Sequence, residues 1–227
     1  MQTSNTTESK LSKAYKGIAM EGPIAVWYAQ ITRNDLARHR LIAGQLRKHI
    51  VAGCHVLEIA PGPGFFCIEL AKLGSYEIMG MDISKSFVEM ARRNAAAAGV
   101  KVEFQQGNAS DMPFATESFD FAFCQAAFKN FTQPIQAIAE MYRVLRPQGS
   151  AVIIDLRRDA SRQEIRHHIK SMGLNRINEL MTTWAFQNML LKNAYTLSEM
   201  ETFVAQTQFG KCHIEVDDIG FQVWVKK

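Results

Sequence analysis

Two acids and two glycines are spaced to hold a nucleoside that carries a charged tail. In Val56-Leu57-Glu58-Ile59-Ala60-Pro61-Gly62-Pro63-Gly64-Phe65-Phe66, an apolar run ends in an acid, a glycine turn follows and a helical pattern begins. Glycines there let the backbone approach a ligand closely, and a helix start presents free N–H groups. Asp82 closes the next apolar run, about twenty residues after the turn, where a carboxylate accepts bonds from two ribose hydroxyls. Taken singly, each feature has a plainer reading: a tight turn with no ligand, and a solvated or helix-capping acid.

The turn discriminates between nucleoside ligands. A dinucleotide site wants a third glycine for close helix packing, and that position holds Cys67, with Phe65 and Phe66 crowding the helix start. Glu58 beneath the turn would repel a pyrophosphate, but it suits the ammonium of an amino-acid tail. This favours S-adenosylmethionine over NAD.

The elements that would carry these residues alternate as βα units of a parallel sheet. Strands are expected at His55–Ala60, Glu77–Asp82, Val102–Gln106, Phe119–Cys124 and Ala151–Leu156. Between them, helices are expected at Phe66–Leu73, at a segment opened by a Ser86/Glu89 capping box and stopped by Gly99, and from Pro134 to about Leu145. Leu11 to Ile50 reads as helical, with Asn34 as an N-cap and with Trp27 and Tyr28 placed to cover a cofactor or to pack the helix. Thr196 and Glu199 form another capping box before Leu197–Gln206, and Cys212–Val216 and Phe221–Val225 read as a closing hairpin.

Four segments, in order, strengthen the reading. Glu58–Gly64 is similar to the acid-glycine motif of class I S-adenosylmethionine-dependent methyltransferases. Gln106–Phe114, Phe119–Cys124 and Glu140–Gly149 resemble that family's segments after strand three, at strand four and before strand five. The resemblance covers about Val51 to Leu156 and is nearest the ubiquinone/menaquinone-biosynthesis-like small-molecule branch. It implies an α/β, Rossmann-like, seven-stranded, mostly parallel sheet of order 3-2-1-4-5-7-6, its last strand antiparallel, with helices on both faces.

The resemblance also implies roles. Glu58, Ala60, Gly62 and Gly64 would line the methionine part of the cofactor, Asp82 the ribose, Ile83 the adenine face, Asn108 and Ala109 the adenine edge, and Gln125 the neighbourhood of the sulfonium. Two positions depart from the pattern: Ala60 replaces a glycine, and Asn108 replaces an acid. The implied reaction is methyl transfer from S-adenosyl-L-methionine to a small-molecule acceptor, leaving S-adenosyl-L-homocysteine. Other chemistry on the same cofactor, such as cyclisation, and a non-catalytic cofactor-binding module are the alternatives.

No residue declares itself a general base. Asp155, Lys129 and Tyr28 are the candidates, and Lys129 and Asn130 stand where the family often contacts the acceptor. Arg157 and Arg158 share the end of strand five with Asp155. His167 and His168 are adjacent on a helix and do not share a face, so a metal pair is not expected.

The chain divides into an N-terminal helical cap at 1–50, a cofactor-binding half at 51–156, a helical lid insertion at 157–195 and a C-terminal helix and hairpin at 196–227. The insertion carries Ile165, Ile169, Met172, Leu174, Ile177, Leu180, Met181, Trp184, Phe186, Met189 and Leu190, more apolar surface than one helical stripe requires. An ordinary extension of the core is the competing reading.

Composition narrows the setting. Of 227 residues, 47% are hydrophobic and 21% charged, and the net charge is +4 without a Lys/Arg block, which speaks against a nucleic-acid groove. No apolar run reaches membrane-span length and no signal region opens the sequence. The four cysteines lack metal-type spacing, so reduced thiols and the cytoplasm are expected. A homodimer is left open.

Overall fold

The computed structural model describes residues 14–16, 20–33, 36–173, 176–186 and 190–227. Two helices precede the sheet: α1 (Gly22–Thr32), with Pro23 in its first turn where no N–H is needed, and α2 (Leu36–Leu46). The expected cap Asn34 lies outside the described residues. The expected helix over the chain from Leu11 is corrected at Tyr15, which bridges Phe131 in antiparallel fashion instead.

The βα alternation then follows. β1 (His55–Ile59), α3 (Phe65–Ala71), β2 (Glu77–Asp82), α4 (Lys85–Ala98), β3 (Glu103–Gln106), β4 (Phe119–Gln125), α5 (Pro134–Val144) and β5 (Leu145–Leu156) form the first part. α6 (Arg162–Ser171) and α7 (Arg176–Ala185) make up the insertion, and α8 (Leu197–Ala205), β6 (His213–Val216) and β7 (Gly220–Lys226) close the chain. The seven strands lie in the order β3-β2-β1-β4-β5-β7-β6. The pairs among β1 to β5 are parallel, and β7 runs antiparallel to both β5 and β6, as expected.

Strand alternation sends successive side chains to opposite faces, and both faces are covered by helices. Val56, Ile78, Phe104, Phe121, Phe123 and Val152 meet α2, α3 and α4 through Leu46, Phe66, Leu70, Val88 and Ala91. Leu57, Ile59, Ala122, Cys124, Ala151 and Ile153 meet α5 and α8 through Ile138, Met141, Met200 and Val204. A one-residue slip would exchange these two sets, so the packing specifies the register.

Two local expectations change. The cap of α4 is Ser84, whose hydroxyl accepts the Phe87 N–H at 3.0 Å, and Ser86 lies inside the helix rather than capping it. Helix α5 ends at Val144, close to the expected Leu145, but β5 begins at Leu145 rather than Ala151, with an irregularity in the β4–β5 pairing before Ser150. Gly99 does end α4, in the left-handed conformation with φ 67°. Among the described residues no helix is long and apolar enough to cross a membrane.

Candidate active site

The carboxyl ends of β1, β2 and β4 converge on the turn between β1 and α3. Ala60 and Gly62 both take left-handed conformations, with φ 60° and 55°. The Ala60 N–H donates to the Met81 carbonyl at 2.8 Å, and the Gly62 N–H donates to Asp82 Oδ2 at 2.9 Å. Gly62 is buried, yet a Cβ there would meet nothing within 4 Å, so open space lies against its backbone. Gly64 is the opposite case: a Cβ would come 2.8 Å from that of Ala91, and its glycine lets α3 start close to α4.

Glu58 is buried at the end of β1, on the face that packs against α3. The Cys67 thiol donates to its Oε2 at 2.7 Å. Burial pushes Glu58 up to about 8, and the Asp82 charge adds to the rise, while the Cys67 hydrogen bonds oppose it. Asp82 is buried as well and pushed up to about 6, chiefly by burial, with the Glu21 charge adding to it and the N–H groups of Ser84, Gly62 and Ile83 opposing it. Its Oδ1 accepts the Ser84 N–H at 2.9 Å, and with the Gly62 and Ile83 N–H groups at most three of its four lone pairs are taken.

The remaining expected cofactor residues surround this turn. Ile83 follows Asp82, and its carbonyl accepts the Gln106 side-chain amide at 3.0 Å. Asn108 and Ala109 follow β3, and Asn108 Oδ1 accepts the Ser110 N–H at 2.9 Å. Gln125 ends β4, and its Oε1 is buried without a hydrogen-bond partner. A buried acceptor left unpaired is uncommon, and a donor brought to it would satisfy it.

The three candidates for a general base are not brought together. Asp155 and Lys129 pair at 2.7 Å, and Asp155 also accepts the backbone N–H groups of Lys129 and Leu156. Both Asp155 oxygens are therefore engaged. Tyr28 lies on α1, its ring 5.7 Å from that of Phe87 on α4. His168 sits 3.8 Å from an Asp218 oxygen, and the described residues hold no group of three metal-ligating side chains.

Sequence reasoning missed the N-terminal segment. The Lys16 N–H donates to the Asn130 carbonyl at 2.7 Å, and Lys16 Nζ donates to the Tyr195 hydroxyl at 2.6 Å. Burial raises the Tyr15 hydroxyl pKa, and the Asp82 charge adds to the rise. Farther along, Glu21 accepts the N–H groups of Lys85 and Ser86, and the Ser84 hydroxyl donates to the Met20 carbonyl. Lys16 is thus tied just past β4, and Met20 and Glu21 just past β2, with β1 between those two strands. The breaker run Glu21-Gly22-Pro23 was the available signal that the helix starts only there.

Residues 57–153 match the family model described as methyltransferase domain. A demethylmenaquinone methyltransferase of Deinococcus radiodurans is 37% identical over 107 residues, covering 47% of this chain and 44% of that protein. The O-methyltransferase resE of Aspergillus sclerotiorum is 36% identical over 112 residues, covering 48% of this chain and 42% of that protein. The match spans less than half the length of either relative. A SAM-dependent methyltransferase crystal structure from Aquifex aeolicus superposes at TM-score 0.63 with 18% identity, over 96% of this chain and 97% of that one. A Methanococcus maripaludis structure reaches 0.75 with 21% identity, over 93% and 95%. At such identities these likenesses concern the fold.

Proposed function

We propose that this chain, whose residues 57–153 match the family model described as methyltransferase domain, is a class I S-adenosylmethionine-dependent enzyme that transfers a methyl group to a small-molecule acceptor. The observation that carries the reading is the open space against buried Gly62, flanked by the carboxyls of Glu58 and Asp82. Those residues fit a nucleoside with a cationic tail: two acids, a cradle a side chain would fill, and the unpaired Gln125 oxygen.

In this reading Asp82 accepts from the ribose, with the Gly62 and Ser84 N–H groups holding the carboxylate still. Glu58, Ala60, Gly62 and Gly64 line the methionine part, Ile83 packs on the adenine, and Asn108 and Ala109 meet its edge. Gln125 Oε1 faces the sulfonium region, where an unpaired oxygen stabilises positive charge. When bound, S-adenosylmethionine supplies an already activated methyl group, so the protein's task is alignment. The strand ends of β4 and β5 position the acceptor, and the insertion closes over it and excludes water.

The names of the curated relatives suggest an aromatic quinol-type acceptor, and the four free thiols suit a reducing compartment such as the cytoplasm. The test is product analysis after incubating the chain with S-adenosylmethionine and a metabolite extract. S-adenosylhomocysteine with a methylated product supports methyl transfer, and methylthioadenosine would point to other chemistry on the same cofactor. Calorimetry that detected NAD binding and neither S-adenosyl ligand would sink the reading.

A further inference from the structure

The strand ends that face the acceptor are rich in cations, and nearly all of them are matched. Lys129 pairs with Asp155 at 2.7 Å, Arg157 with Glu164 and Asp159, and Arg158 with Glu199 at 2.6 Å. Lys16 differs. It is half-buried, and among the described residues no carboxylate pairs with it. Its ammonium donates to the Tyr195 hydroxyl at 2.6 Å and lies 4.8 Å from the centre of that ring.

Backbone contacts fix where this pair stands. The Lys16 N–H is held by the Asn130 carbonyl, just past β4. Tyr195 bridges Arg157, just past β5, and its ring lies 5.9 Å from that of Phe128. Lys16 Nζ and the Tyr195 hydroxyl therefore meet over the carboxyl ends of β4 and β5, beyond Gln125. Lys16 Nζ gives one hydrogen bond to Tyr195, and its other donors are open to an anion. The Tyr195 oxygen accepts from Lys16, so its own proton remains to be donated. Two donors thus converge on one place.

We propose that Lys16 and Tyr195 bind an anionic oxygen of the methyl acceptor, carried by a carboxylate or an ionised aromatic hydroxyl. The inference rests on the methyl-transfer reading and specifies the acceptor's chemical class. An oxygen that arrives ionised needs no general base, which agrees with Asp155 having both oxygens engaged.

The test uses the full chain saturated with S-adenosylhomocysteine and titrated with three probes: benzoate, 4-nitrophenolate and the neutral 4-nitroanisole. At least one anion is expected to bind about tenfold or more tighter than 4-nitroanisole, and the anion that does so identifies the acidic group. Lys16→Met should abolish that preference while leaving S-adenosylhomocysteine affinity unchanged, which also reports an intact fold. Tyr195→Phe should weaken the favoured anion and spare 4-nitroanisole. Equal binding of all three probes, or a preference that survives Lys16→Met, overturns the proposal. Failure of S-adenosylhomocysteine to bind at the outset overturns the methyl-transfer reading and this inference with it. Its binding without an anion preference overturns this inference alone.

Discussion

Cys67 donates its thiol proton to Glu58 across 2.7 Å, behind the turn that ends at Gly64. The thiol stands where a dinucleotide-binding turn would have its third glycine. It satisfies one oxygen of an acid that burial pushes up to about 8. Below that pH Glu58 is mostly protonated and donates rather than attracts.

Cofactor binding should therefore release protons. A cationic amino-acid tail favours the ionised form of Glu58, and ribose hydroxyls favour that of Asp82, pushed up to about 6. Affinity for S-adenosylmethionine should rise from about pH 6 to about pH 8 and level off above it. Calorimetry at pH 7 in buffers of different ionisation enthalpy reads the released proton directly. A dissociation constant that stays flat across that range would contradict the assignment. Stability runs the other way. The folded protein retains protons on Glu58 and Asp82 that the unfolded chain gives up from its usual 4.5 and 3.8, so stability should fall as pH rises through those values toward 8.

Asp82→Ala should weaken S-adenosylmethionine binding by about 1.5–3 kcal/mol, the worth of hydrogen bonds to a charged acceptor. It should also destabilise the protein, because the N–H groups of Gly62 and Ser84 lose their acceptor. Asp82→Asn, which keeps one oxygen, separates these effects: it should spare more stability than affinity. A folded Asp82→Asn variant with unchanged affinity would remove the ribose role.

Ala60 occupies a left-handed position, φ 60°, where Cβ is crowded against the backbone. Ala60→Gly should relieve part of a penalty of about 1–2 kcal/mol, offset by the greater entropy of glycine in the unfolded chain. Urea denaturation should show a midpoint raised by up to about 1 kcal/mol equivalent with an unchanged slope. A lowered midpoint would mean that the Ala60 methyl makes packing contacts worth more than the strain.

The parallel sheet and the acid-glycine turn were legible because local pattern determines both. Alternating apolar runs name the strands, and Gly62 and Gly64 sit at positive φ, which few other residues tolerate. What was not legible depends on partners distant in sequence. Ser86 and Glu89 have capping-box spacing, yet Ser86 lies inside α4, where its hydroxyl and N–H donate to Glu21 from 65 positions earlier. Tyr15 and Lys16 lie in a stretch of helical composition, yet Tyr15 bridges Phe131 and the Lys16 N–H donates to the Asn130 carbonyl. Asp155 and Lys129 were each visible as charges after a strand, and only the fold joins them into a buried pair.

The last prediction concerns the insertion, whose two helices behave differently. Helix α6 is built into the body: Ile165 and Ile169 are buried with Ile219 of the hairpin turn, and Glu164 pairs with Arg157. Replacing 160–192 by a Gly/Ser linker would expose that cluster and leave Arg157 short of a partner, so such a variant should lose stability before it reports on any lid. Helix α7 is the informative half. Leu180 and Met181 are 74% and 66% exposed, although an apolar side chain gains by burial. Leu174 and Met189, also expected in the lid, lie outside the described residues. If α7 closes over the acceptor, its apolar face contributes to turnover and not to folding. The double variant Leu180→Ser/Met181→Ser should then keep its denaturation midpoint within about 0.5 kcal/mol, as exposed substitutions do. S-adenosylhomocysteine affinity should be unchanged, while kcat/KM falls about tenfold, the equivalent of about 1.4 kcal/mol of lost transition-state stabilisation. Unaltered kcat/KM in this variant would reject the lid, and a large loss of stability would show that α7 is core like α6.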